Sequence, residues 1–140
     1  MVFLALMAAL TQIYAESFAL LTFLFIFASE ELKLIIMRRP DIVDRIREEA
    51  HKMSSEVQTI LYGSEARGDA RPDSDIDLLI LVNKDKLSYI DKDRIIAPFY
   101  DIELDTGIII STLIMPRKEW ENRPILTPFQ YNVNKEGITL

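Results

Sequence analysis

The chain has 140 residues, with 16 Lys and Arg set against 22 Asp and Glu for a formal net charge of −6, a balance unlike that of a protein that coats nucleic acid. At 49% hydrophobic and 27% charged residues its average is that of a globular domain, which excludes wholesale disorder and collagen-like or low-complexity architecture. With no Cys and a single histidine, His51, it has no disulfide framework, thiolate zinc site, cysteine nucleophile or histidine metal cluster.

The average hides a split. Between Met1 and Ser29 the only charged side chain is Glu16, so residues 1–36 form an apolar N-terminal segment that reads as a helix. Three readings of it stay open. As a membrane helix, residues 1–29 are long enough to span, and Lys33, Arg38 and Arg39 would hold the C-terminal part in the cytoplasm. Gln12 and Glu16 near the middle of the run count against this, because a carboxylate at the bilayer centre costs roughly 2.5–3.5 kcal/mol. Equally, translation can start at Met37, which makes the upstream residues an extension dispensable to the domain at 37–140. A buried soluble helix is the third reading. A secretory signal is disfavoured, since no Lys or Arg precedes Lys33.

From Pro40 the chain alternates helical and strand patterns. Asp41 reads as an N-cap for a helix whose apolar positions Ile42, Val43, Ile46, Ala50 and Met53 recur at helical spacing. Val57 to Tyr62 is a β-rich run closed by a Gly63-Ser64 turn. Ile76 to Val82 is nearly all apolar, as expected of a strand covered on both faces. Ile95, Phe99, Ile102 and Thr106 share one helical face, Gly107 follows as a C-cap, and Ile108 to Met115 reads as a third strand. Pro116 opens a short helical piece holding Trp120, and Thr127-Pro128 starts a last helix ending at Gly137. The fold class is therefore α/β, a small mixed sheet flanked by helices.

The chemistry concentrates between the first two strands, in LYGSEARGDARPDSDIDLLILV. Strand alternation throws Asp75 and Asp77 onto one face while Ile76 points into the core. Two carboxylates held together are costly unless a cation joins them, and oxygen ligands at this spacing suit Mg²⁺. Gly63 lets backbone approach a phosphate closely, Ser64 offers a hydroxyl and an amide, and Arg67 adds a positive group for a triphosphate or for the acidic loop. Ser74 reads equally as a ligand or as a turn cap. Asp69 and Arg71 read as a solvated loop, His51 as a solvated helix residue and Trp120 as a core anchor. Tyr89, Tyr100 and Tyr131 could each stack a base, with nothing to select one.

The pattern Gly-Ser, ten residues, Asp-x-Asp, with Ala66-Arg67-Gly68 between and Ser74 before the first Asp, resembles the minimal nucleotidyltransferases of the DNA polymerase β superfamily. The motif covers Gly63 to Asp77, and the flanking helices and strands suit that family's core over roughly residues 38–140. The resemblance implies a polymerase β-like fold, with Gly63 and Ser64 on the β and γ phosphates of ATP or another nucleoside triphosphate. It implies that Asp75 and Asp77 bind two Mg²⁺ ions and that a nucleoside monophosphate, commonly AMP, passes to an acceptor hydroxyl. It further implies an acceptor that is often a HEPN-class helical protein in a toxin–antitoxin pair. The family carries a third carboxylate on a following strand, whereas Ile108 to Met115 offers only Ser111 and Thr112 as polar residues. Asp101, Glu103 and Asp105 fall on the preceding helical pattern, although their alternation leaves a strand open. An absent third carboxylate points to the alternative of a non-catalytic nucleotide-binding partner. Nucleic acid is a poor acceptor, because the part from Met37 carries 15 basic against 19 acidic residues, net −4, with no basic stripe. A homo-oligomer covering an exposed sheet edge stays open.

Overall fold

The computed structural model describes residues 21–22 and 37–140, so the readings of residues 1–36, Leu21 and Thr22 apart, lie outside the described residues. Among the described residues no helix is long and apolar enough to cross a membrane.

Helix α1 spans Pro40–Lys52. The N-cap position falls on Arg39 and not on Asp41, which sits in the first turn. The proline explains the shift: its φ is already helical and it has no N–H to leave unpaired, so it takes the first helical position. Ile42, Val43, Ile46 and Ala50 are the buried stripe of α1. Strand β1, Val57–Tyr62, follows, and then a five-residue helix α2, Gly63–Arg67, occupies the place read as a Gly-Ser turn. Too short to show an apolar period, α2 left no helical signature.

Strand β2, Ile76–Val82, is buried at every position but Asp77. Helix α3, Tyr89–Thr106, opens on a capping box between Ser88 and Asp91 and stops at Gly107, whose φ of 69° is left-handed. Strand β3 runs Ile110–Pro116, two residues later than the apolar run begins. The left-handed cap turns the chain at Gly107, and the Ile108 amide donates to Thr106 Oγ1 at 3.3 Å, so Ile108 belongs to the helix exit. Helix α4, Arg117–Glu121, holds buried Trp120, and helix α5, Pro128–Glu136, starts on Thr127, whose side chain accepts from the Gln130 amide. A two-residue strand β4, Ile138–Thr139, was too short to read from sequence.

The sheet order is β3-β2-β1-β4, with β2 parallel to β3 and the pairs β1/β2 and β1/β4 antiparallel. This is the small mixed sheet flanked by helices that a polymerase β-like fold requires. Buried β2 therefore lies between β1 and β3. One sheet face carries Leu79 and Leu81 against Trp120 and Val133, with Ile60, Tyr62, Leu113 and Met115 packed around them. By alternation Leu78 and Ile80 face the other way, and α1 and α3 supply the remaining buried apolar stripes, Phe99 among them. Asp77 shares the face of Leu79 but lies one pleat beyond the apolar cluster, at the open end of the sheet.

Candidate active site

Three strands meet at one level there. Tyr62 on β1 is the register partner of Asp77, and Asp77 is the partner of Ser111 on β3. Asp75 immediately precedes β2, and the Ser111 hydroxyl donates to Asp75 Oδ2 at 3.1 Å. Gly63 closes the site from the β1 side. Its φ is +76°, and a methyl built on it would overlap Asp77 Oδ2 and stand 3.2 Å from Asp77 Cγ. Glycine is thus needed twice over, for the left-handed backbone and for the approach of the α2 turn to the carboxylate.

The electrostatics follow from this crowding. Burial, and then the charge of Asp75, push the Asp77 carboxyl above the usual aspartate range, and Arg67 offsets part of the rise. The same burial and the neighbouring Asp77 charge raise the Tyr62 phenol, which therefore stays a neutral donor at physiological pH. Among the described residues neither Asp75 nor Asp77 has an ion-pair partner.

The remaining residues singled out in the sequence divide. Ser64 sits in the first turn of α2, and its carbonyl accepts from the Asp69 amide at 3.0 Å. Arg67 pairs with Asp69 at 3.2 Å and with Glu136 at 3.6 Å, which ties the acidic loop to α5. Ser74 Oγ accepts from the Arg71 amide at 2.9 Å, the geometry of a turn cap. Asp101, Glu103 and Asp105 lie on α3, so the helical reading of that segment is the one observed. Glu103 Oε2 accepts from the Ile110 amide at 2.9 Å, and Asp105 pairs with Arg45 at 2.8 Å. The β3 position level with Asp77 is Ser111. No group of three or more His, Cys, Asp or Glu able to hold a metal ion occurs among the described residues. Beside the carboxylates, Tyr62, Gly63, Arg67, Phe129, Asn132 and Glu136 line a cleft of about 200 Å³. Phe129 meets the Tyr62 ring edge-on, with centroids 5.4 Å apart.

Sequence reasoning missed the pair beneath the site. Glu65 on α2 is completely buried, and Arg39, read only as a charge following an apolar segment, is its partner. The two lie 26 positions apart with no local pattern joining them. The sequence shows only a Glu immediately after Gly63-Ser64, and nothing in it marks that side chain as inward.

The family model described as "Nucleotidyltransferase domain" matches residues 43–132, which run from α1 into α5 and contain the whole Gly63–Asp77 segment. The chain belongs to this nucleotidyltransferase family, and it is a transferase. A protein of Methanocaldococcus jannaschii that bears the name of a candidate protein adenylyltransferase is 36% identical over 81 residues, 58% of this chain and 74% of that protein. These likenesses agree with the resemblance to minimal nucleotidyltransferases carried by the Gly-Ser and Asp-x-Asp residues.

Proposed function

We propose that residues 37–140 form a nucleotidyltransferase domain that moves AMP from ATP to a hydroxyl on a protein acceptor, with Asp75 and Asp77 holding Mg²⁺. The observation that carries this is the fit of Gly63 against Asp77: a phosphate-type turn is pressed onto a carboxylate that, among the described residues, has no ion-pair partner. The donor set suits a hard divalent ion. Two carboxylates stand together, one with its pKa raised by burial and by the other, and such a pair is relieved by an oxygen-seeking cation. When bound, the metal supplies charge neutralisation at the α-phosphate and at the departing pyrophosphate oxygen.

The chain's own part is to position and to exclude. The Gly63 and Ser64 amides open α2 without partners inside the helix, and they are the donors we assign to the β and γ phosphates. Ser111 fixes one oxygen of Asp75, leaving the other to face the nucleotide. The half-buried Tyr62 ring and the more exposed Phe129 ring give the cleft beside Gly63 an apolar wall suited to the nucleoside end. Arg67, already shared between Asp69 and Glu136, neutralises the loop and reaches Asp77 electrostatically, which makes it a secondary phosphate contact. Ser74 we assign to the turn and not to the ligand. In the reaction the acceptor oxygen bonds to the α-phosphorus as the bond to the pyrophosphate oxygen breaks, and the hydroxyl proton is released. Holding the two oxygens in line is worth several kcal/mol by itself.

The name of the archaeal relative supports a protein acceptor, and the resemblance to minimal nucleotidyltransferases supports a HEPN-class helical protein in that role. The test is to incubate the full chain with Mg²⁺, ATP labelled in its α-phosphate, and lysate or a candidate acceptor. Label should enter a protein with the parent chain and vanish with Asp75→Asn and Asp77→Asn. ATP binding without any label transfer would favour the non-catalytic reading instead.

A further inference from the structure

We infer that Arg39 and Glu65 are positioning residues for the nucleotide site, a buried clamp that sets the α2 turn and Asp75 at a fixed separation. The inference rests on the proposed nucleotidyl transfer and goes beyond it. The Arg39 guanidinium holds two segments at once. Its Nε donates to Glu65 Oε2 at 3.0 Å, its Nη2 lies 2.8 Å from the same oxygen, and its Nη1 donates to the Ser74 carbonyl at 2.8 Å. The Arg39 amide adds a bond to Glu65 Oε1 at 2.8 Å. Glu65 is two residues beyond Gly63, and Ser74 is the residue before Asp75. One planar fork therefore links the phosphate-type turn to the arm that presents a carboxylate.

Burial makes the arrangement informative. Arg39 is 8% exposed and Glu65 is 0% exposed. A buried ion pair is weak support for stability, because an apolar pair of similar volume is often as stable or more so. What apolar side chains cannot do is hold the Ser74 carbonyl and the Glu65 carboxylate at once. Lysine cannot do it well either, having a single nitrogen where arginine has a fork. The ten residues from Glu65 to Ser74 are otherwise held mainly by turns of their own. These are the Gly68 amide on the Glu65 carbonyl at 3.2 Å, the Asp69 amide on the Ser64 carbonyl at 3.0 Å, the Ser74 amide on the Arg71 carbonyl at 3.1 Å and the Arg71 amide on Ser74 Oγ at 2.9 Å. None of these joins the Asp75 end to α2. Without the clamp, Asp75 keeps its Ser111 bond but loses its registration with Gly63 and Ser64.

The experiment uses the full chain with Arg39→Lys, Glu65→Gln and the apolar pair Arg39→Met with Glu65→Leu. For the apolar pair we expect a melting temperature close to the parent's. We expect kcat for transfer from ATP to fall at least tenfold while KM for ATP changes less than threefold, since Gly63 and Ser64 stay on their own turn. Arg39→Lys should recover part of the lost kcat. A second readout is independent of catalysis: hydrogen exchange of the backbone amides from Asp69 to Asp75 should quicken at least tenfold in the apolar pair and less in Arg39→Lys. A folded apolar pair with parental kcat and parental exchange overturns the clamp. Should the parent itself fail to transfer, the proposed reaction is what falls, and the exchange measurement still decides for or against the clamp.

Discussion

Gly63→Ala is the substitution for which the structure gives the most definite expectation. At φ +76° an L-residue meets the left-handed penalty of roughly 1–2 kcal/mol. The new methyl must also displace the Asp77 carboxylate, which is the end of a short side chain and can swing aside into an off-rotamer position costing about 0.5–1.5 kcal/mol. The sum is about 1.5–3.5 kcal/mol, and at about 4–8 °C per kcal/mol for a domain of this size the melting temperature falls by roughly 6–28 °C. Gly107→Ala is the matched control, because φ there is +69° and nothing lies within 4 Å of an added Cβ. It meets only the left-handed penalty, about 1–2 kcal/mol. Both substitutions stiffen the unfolded chain alike, and that gain cancels in the comparison. The assay is urea and thermal unfolding of both variants in the parent and in an Asp77→Ala background. Gly63→Ala should be the more damaging in the parent, and the excess should shrink once Asp77 is truncated. If Gly63→Ala costs no more than Gly107→Ala, or its cost is unchanged in Asp77→Ala, the contact between Gly63 and Asp77 is not the constraint described.

Further expectations come from the same geometry. Because burial and Asp75 raise the folded-state pKa of Asp77, its favourable contribution to stability is complete below the ordinary aspartate range and is lost as pH rises through the raised value. In metal-free buffer Asp77→Asn should therefore melt above the parent at neutral pH, with the difference shrinking towards a pH of about 4; a difference that grows on acidification would contradict the sign. Mg²⁺ should raise the parent's melting temperature and leave an Asp75→Asn/Asp77→Asn double variant unmoved. Ser111→Asp puts a third carboxylate level with Asp77, so it should tighten Mn²⁺ binding in a titration while lowering stability in chelator at neutral pH. Phe99→Ala empties a fully buried position between sheet and helix and should cost about 3–5 kcal/mol in urea unfolding.

Much of the architecture was legible because its signals are local. Strands β1 and β2 have the boundaries that the runs from Val57 to Tyr62 and from Ile76 to Val82 imply. The stops and starts at Gly107, Thr127 and Pro128 follow from cap chemistry that a single residue carries. The Gly63, Asp75 and Asp77 grouping was readable too, since strand alternation and a close-approach glycine both act over a few positions. What escaped depends on distance along the chain or on very short elements. Arg39 finds Glu65 across 26 positions, and no periodicity records such a pairing. The assignment of Ser111 to the level of Asp77 needs the β2/β3 register, which apolar sequence alone does not fix. The α2 helix and β4 strand are too brief for either period to emerge. Ser74, balanced between two roles in sequence, acquires its turn-cap role only through the Arg71 amide.

The central claim is that Asp75, Asp77 and the Gly63-Ser64 turn form one nucleotidyl-transfer site, and pyrophosphate release tests it most directly. With the full chain, ATP, Mg²⁺ and an acceptor, the account expects pyrophosphate in step with AMP incorporation. It expects a loss of at least a hundredfold, about 2.7 kcal/mol, in Asp75→Asn and in Asp77→Asn, and parental rates in Lys118→Ala, whose partner Asp85 lies on the surface beyond β2. Release of inorganic phosphate in place of pyrophosphate, or undiminished pyrophosphate release in both aspartate variants, would contradict it.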